Sequence, residues 1–169
     1  MPARVPSSQV FSHKLGVFAT ESIADQAILS SSLHRSWALR YTSTMRADIN
    51  YSPSDVFDTL PRATHTHRLR SAGQALDANR RQIMLKRGLG LTELYNLVNS
   101  PRISGDTDID LMRVLQIEVD EATAEAYGWS DLHLGHGFHS YRRIVHWGLE
   151  PNARNEALDR LLELNHARC

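Results

Sequence analysis

Pro53 and Pro61 place the strongest constraint on what this chain can fold into. Each proline pushes the residue before it out of the α region, so no single helix can run through both. An extended passage with one short turn fits the stretch from Tyr51 to Pro61, in which Val56, Phe57 and Leu60 are expected to pack inward. The apolar pattern also changes period here. Upstream it reads as short runs and turns, and downstream as stripes of period 3.6.

The upstream part predicts a buried strand at Leu15-Gly16-Val17-Phe18-Ala19, with a strand pair around Ser12-His13-Lys14. From Thr20, a candidate N-cap, Ile23, Ala24, Ala27 and Ile28 recur at helical spacing, and Leu33, Trp37 and Tyr41 continue the pattern past three serines. One broken helix or two short ones follow. Thr42-Ser43-Thr44 then reads as a loose connection and 47–51 as a strand.

Downstream, Leu69, Ala72, Leu76, Ile83 and Met84 line one side of a helix from about His67 to Lys86. Gly73 weakens that helix by ~1 kcal/mol relative to alanine. A short helix around Leu91–Val98 precedes the clearest helix of the chain, about Asp108 to Tyr127, whose stripe is Ile109, Met112, Leu115, Val119, Ala122 and Ala126. A strand is expected across Tyr141–Trp147, and Pro151 opens a last helix with Ala157, Leu158, Leu161 and Leu164 inward. The class is α+β: a small mixed β region with short helices over 1–61, followed by a mostly helical part of about four helices over 62–169.

With 41% hydrophobic and 22% charged residues and no apolar run of membrane length, the composition is that of a water-soluble domain. The N-terminus lacks the apolar core of a secretory signal and the one cysteine is Cys169, which leads to a cytoplasmic expectation. Charge is unevenly spread. The formal net charge is 0 over 1–61, +6 over 62–87 and −6 over 88–169. Such a basic segment beside an acidic one fits either a nucleic-acid-facing surface or a helix pair that neutralises itself.

Motifs for catalysis are missing. There is no Pro-Pro pair for an adenine methyltransferase tetrapeptide. Gly88-Leu89-Gly90 and Gly135-His136-Gly137 do not open a helix after a strand, so neither marks a nucleotide cofactor site. The two lysines, Lys14 and Lys86, have no acidic residue at the spacing of common metal-dependent nucleases. His133, His136 and His139, with His146, form the one concentration of metal-ligand types. Without cysteine or a His-Glu-x-x-His pattern they read as hydrogen-bonding histidines, with a zinc site as the weaker alternative. The His65-Thr66-His67 pair reads the same way.

Several phrases, in order, resemble the C-terminal part of the MmeI-like single-chain DNA adenine methyltransferases, which are related to the methyltransferases of BREX and DISARM phage defence. They are 10–18 (Val-Phe-Ser-His-Lys-Leu-Gly-Val-Phe), 28–34, 51–61, 90–96, 120–132, 135–139 and 158–166. The resemblance implies the end of a target-recognition domain up to Pro61 and the family's helical C-terminal region after it. It implies double-stranded DNA as partner, and a restriction-modification or phage-defence role. S-adenosylmethionine and catalysis would belong to an upstream or separate methyltransferase domain, so this chain alone is expected to be non-catalytic and to carry no cofactor. The stretch 65–67 departs from the family's usual start to the long helix.

In such a module Arg and Lys contact phosphates while a few polar side chains read base edges. The candidates for base reading are Arg40, Thr42, Ser43, Thr44, Arg46, Asn50 and Ser52, and those for phosphate are Arg62, Arg68, Arg70, Arg80, Arg81, Lys86 and Arg87. The alternative is a non-catalytic helical protein-interaction module that binds no DNA.

Overall fold

The structure, a computed structural model, describes residues 2–6, 8, 10–11, 15–45, 48–141 and 144–167. In chain order it forms α1 (Ile23–Ser30), α2 (Ser32–Tyr41), a hairpin of β1 (Ser43–Met45) and β2 (Asp48–Asn50), and a single π turn (Pro53–Phe57). Then come α3 (His67–Arg87), α4 (Leu91–Val98), α5 (Thr107–Ala126), a second hairpin of β3 (Gly137–Tyr141) and β4 (Ile144–Gly148), and α6 (Pro151–His166). Both hairpins are antiparallel and two-stranded, and the class is α+β.

Local chemistry sets the boundaries. Ser22 rather than Thr20 caps α1, accepting from the Asp25 amide. The break between α1 and α2 rests on one residue. Ser31 is extended (φ −71°, ψ 155°), its hydroxyl donates to the Ile28 carbonyl and it accepts from the His34 amide, so a single side chain closes one helix and opens the next. Thr66 caps α3, Gly88 ends it in the left-handed region at φ 63°, and Asp106 caps α5 by accepting from the Asp108 and Ile109 amides.

The helical stripes meet in one core. Leu69, Ala72, Leu76 and Ile83 of α3, Ile109, Met112, Val119 and Ala122 of α5, and Ala157 and Leu161 of α6 are buried with Leu33 and Trp37 of α2. Val56 and Leu60 join them, as the apolar positions between the two prolines predict, while Phe57 is half-buried. Pro61 therefore divides two secondary-structure regimes but not two cores: α1 packs directly on α3. That contact explains Gly73. A Cβ there would stand 2.8 Å from the Ala27 Cβ and 2.9 Å from the Ile23 carbonyl oxygen, so the glycine that weakens the helix also permits its close approach to α1.

Three strand expectations change. No strand forms at 15–19; Leu15 and Val17 are about 60% and 59% exposed, and only Phe18 packs, edge-on to Tyr51 and against Phe57. A strand there has no partner among the described residues, and the expected pair around 12–14 lies outside them. The loose connection at 42–44 instead supplies β1, which gives the strand at 48–50 its partner. The expected strand at 141–147 is two strands: pairing begins at Gly137, and Phe138 faces Trp147 with ring centroids 5.1 Å apart. His139 and Ser140 lower the apolar content of that first strand and hide it in the sequence.

Candidate nucleic-acid interface

The first hairpin is held at both ends. Upstream, α2 is pinned by Leu33 and Trp37, each 1% exposed, with the Trp37 indole donating to the Thr59 hydroxyl and its ring tilted against that of Tyr41. Downstream, Tyr51 returns the chain to α2 through His34. The His34 Nδ1 lies 2.9 Å from the Leu29 carbonyl, which can only accept, so Nδ1 carries the proton and Nε2 accepts from the Tyr51 hydroxyl at 3.1 Å. Burial pulls the His34 pKa down to about 4 and pushes the Tyr51 phenol up to about 12, with Asp58 reinforcing the latter; both groups are neutral at physiological pH.

Within this frame Ser43 pairs with Asn50, Thr44 with Ile49 and Met45 with Asp48, so three base-reading candidates lie in one ribbon. Arg40 is exposed in the last turn of α2, directly before β1. Arg46 lies outside the described residues. Two candidates sit differently. The Thr42 hydroxyl is buried and so is not offered to a duplex, and the Ser52 hydroxyl is 3.0 Å from that of Ser54, in the lead-in to the π turn.

The phosphate candidates fare less evenly. Arg80 is 2% exposed, donating to the Pro2 carbonyl and pairing with Asp77, so it is a core residue that a phosphate cannot reach. Arg68 is forked across α5, with Glu118, Glu121 and Glu125 at 2.7–3.0 Å. Glu118 and then Glu125 raise its pKa further above the ordinary guanidinium range. Lys86 meets Asp108 at 3.0 Å, and Arg87 meets Asp106 at 2.7 Å and draws that carboxyl below its usual range. Arg81 reaches Asp77 at 3.5 Å but stays mostly exposed. Arg62 lies 4.1 Å above the Phe57 ring and Arg70 donates to the His65 carbonyl; both remain exposed. Three of the seven basic residues of this segment, Arg68, Lys86 and Arg87, are thus matched by the acidic α5 and its cap.

A buried polar hub escaped sequence reasoning. Asp120 is fully buried in α5 and accepts from the Ser32 amide at 2.6 Å, from Gln116 at 3.1 Å and from His136 at 2.9 Å; Gln116 also donates to the Ser30 carbonyl. It ties the α1–α2 break to α5 and to the loop before β3, and thereby fixes the start of α2, the helix that leads into the hairpin. The available signal was an acid between Val119 and Ala122 in the middle of an apolar stripe. His136 is spent on this hub and the His139 Nε2 donates to the Gly135 carbonyl, while His65 bonds Asp25. Among the described residues no group of three His, Cys, Asp or Glu is placed to hold a metal, and no helix is long and apolar enough to cross a membrane.

The first hairpin is a narrow two-stranded element whose strands carry Ser43, Thr44 and Asn50, whereas in the long basic helix Arg68, Lys86 and Arg87 are paired, Arg80 is buried, and Arg70 and Arg81 stay exposed. Comparison with family models, with curated proteins and with solved structures finds no match to this chain.

Proposed function

We propose that this chain is a sequence-specific DNA-recognition module of a restriction-modification or phage-defence adenine methyltransferase, acting in the cytoplasm. Catalysis and S-adenosylmethionine binding belong to a separate or upstream domain. The observation that carries this reading is the β1–β2 ribbon. A two-stranded ribbon fits the major groove, and Ser43, Thr44 and Asn50 lie in it with Arg40 at its base and Arg46 between its strands in the sequence. Phosphate contact falls to the exposed Arg62, Arg70 and Arg81 rather than to the whole basic segment. The resemblance of the ordered phrases to the MmeI-like family supports the same reading.

A salt titration of duplex binding by the purified chain tests it. Phosphate-driven binding weakens steeply as salt rises, with a log–log slope that counts the phosphates contacted. Binding that ignores salt, or none at low salt, sinks the proposal.

A second reading is favoured by one observation. The Arg68 fork and the Lys86 and Arg87 pairs neutralise three basic residues of α3 within the molecule, as a helical protein-interaction module that binds no DNA would favour. The same titration separates the two.

A further inference from the structure

Beneath the hairpin stem lies a cavity of about 530 Å³, within the size range of small-molecule sites. It is bounded by the N-terminal segment, the α1–α2 break, Tyr51, the end of α4, α5 and β4. Its walls are unusual in their polar chemistry. The described buried side-chain polar atoms that lack a partner include Ser30 Oγ, the Tyr95 hydroxyl and Trp147 Nε1, and all three residues line this one cavity. Ser30 is only 2% exposed, and Arg80 approaches the Tyr95 hydroxyl without reaching hydrogen-bond geometry. Each such orphan costs about 1–3 kcal/mol unless something satisfies it.

The orphans select the ligand. An indole N–H can only donate, and the two hydroxyls can donate. Arg35, exposed and without an ion pair among the described residues, adds a cation to the wall, and no Asp or Glu lines the cavity among the described residues. The nearest carboxylate, Asp120, lies behind the wall and is already taken by Ser32, Gln116 and His136, so a cationic ligand would find no open counter-charge, and a purely apolar one would leave the donors unmet. The remaining lining is apolar and aromatic, with Phe18, Tyr51, Tyr95 and Trp147 supplying rings.

We propose that this cavity binds a small aromatic carboxylate, its ring among those side chains and its carboxylate drawing on Arg35 and the unpartnered donors. The site goes beyond the DNA-recognition reading and does not depend on it.

The test is a titration of the full ¹⁵N-labelled chain with phenylacetate, observing the Trp147 indole N–H, which Trp147→Phe identifies. Phenylacetamide and acetate serve as comparison probes. The expected result is a saturable shift with phenylacetate. Arg35→Gln weakens it about tenfold, as does replacing the acid by the amide, the scale of one lost charged contact. Arg35 is exposed, so an unchanged Trp37 indole resonance in Arg35→Gln certifies that the core stays folded. No saturable shift means that water alone fills the cavity and overturns the proposal. Equal affinity for phenylacetamide or for acetate overturns it too, as does unchanged affinity in Arg35→Gln.

Discussion

The α3–α5 pair and the β1–β2 hairpin both carry the residue types of a DNA-binding surface, but the fold treats them in opposite ways. In α3, Arg68, Lys86 and Arg87 each face a carboxylate within about 3 Å, and Arg80 is buried. The hairpin is instead joined to α2 and to Tyr51, which the Trp37 and His34 hydrogen bonds hold in place. A charge count along the chain cannot separate these cases, because it registers how many basic residues there are and not what each is bonded to. Surface ion pairs add little to stability, and their main consequence here is that Arg68, Lys86 and Arg87 meet any polyanion already neutralised, while Arg70 and Arg81 of the same helix stay exposed.

The comparison rests on a stem that stays fixed, and its hub should give the largest effect. Asp120→Ala leaves the Ser32 amide, Gln116 and His136 without their shared acceptor, and denaturant unfolding should show a loss of about 3 kcal/mol or more. A loss under about 1 kcal/mol would mean that the stem is held some other way. Acid should loosen the other side of it. Unfolded histidine takes up a proton near pH 6.5 and buried His34 only near 4, so stability falls as pH drops from about 6.5 to 4, by about 3 kcal/mol in all. His34→Asn should lack that part of the slope in urea titrations across this range.

Gly73→Ala probes the α1–α3 contact. The added methyl meets Ala27 and the Ile23 carbonyl, and overpacking should cost about 1–3 kcal/mol despite the better helix propensity. A more stable variant by thermal melting would refute the close approach. The smallest effect belongs to the neutralised pair: Arg68→Ala should cost about 1 kcal/mol or less, fading further in high salt, because the fork is well over a third exposed.

Where apolar period decides structure, the sequence was legible. The stripes of α3 and α5, the helix break within the three serines, the inward Val56 and Leu60 and the α+β order all follow from it. Pairing was less so. β1 was hidden in Thr42-Ser43-Thr44, whose β-branched threonines look like a linker until β2 lies beside them, and Leu15–Ala19 had strand composition with no strand to join. The candidate site was half legible. Arg40, Ser43, Thr44 and Asn50 gather at one hairpin, whereas Arg80 turns inward because its neighbour Asp77 and the Pro2 carbonyl capture it, the latter a contact between residues far apart in the chain. Asp120 was overlooked because an acid in an apolar stripe has meaning only once Ser32 and His136 are seen to surround it.

The most direct test sets the two regions against each other at equal change of charge. Duplex binding of the chain is measured with Arg40→Ala and Arg46→Ala together, and separately with Lys86→Ala and Arg87→Ala together. If the hairpin reads DNA, the first pair loses about 1–3 kcal/mol for each base contact removed and with it the preference among sequences. The second pair, already matched by Asp108 and Asp106, changes binding little. Loss confined to the Lys86 and Arg87 variant, with the hairpin variant binding as before, would contradict the account.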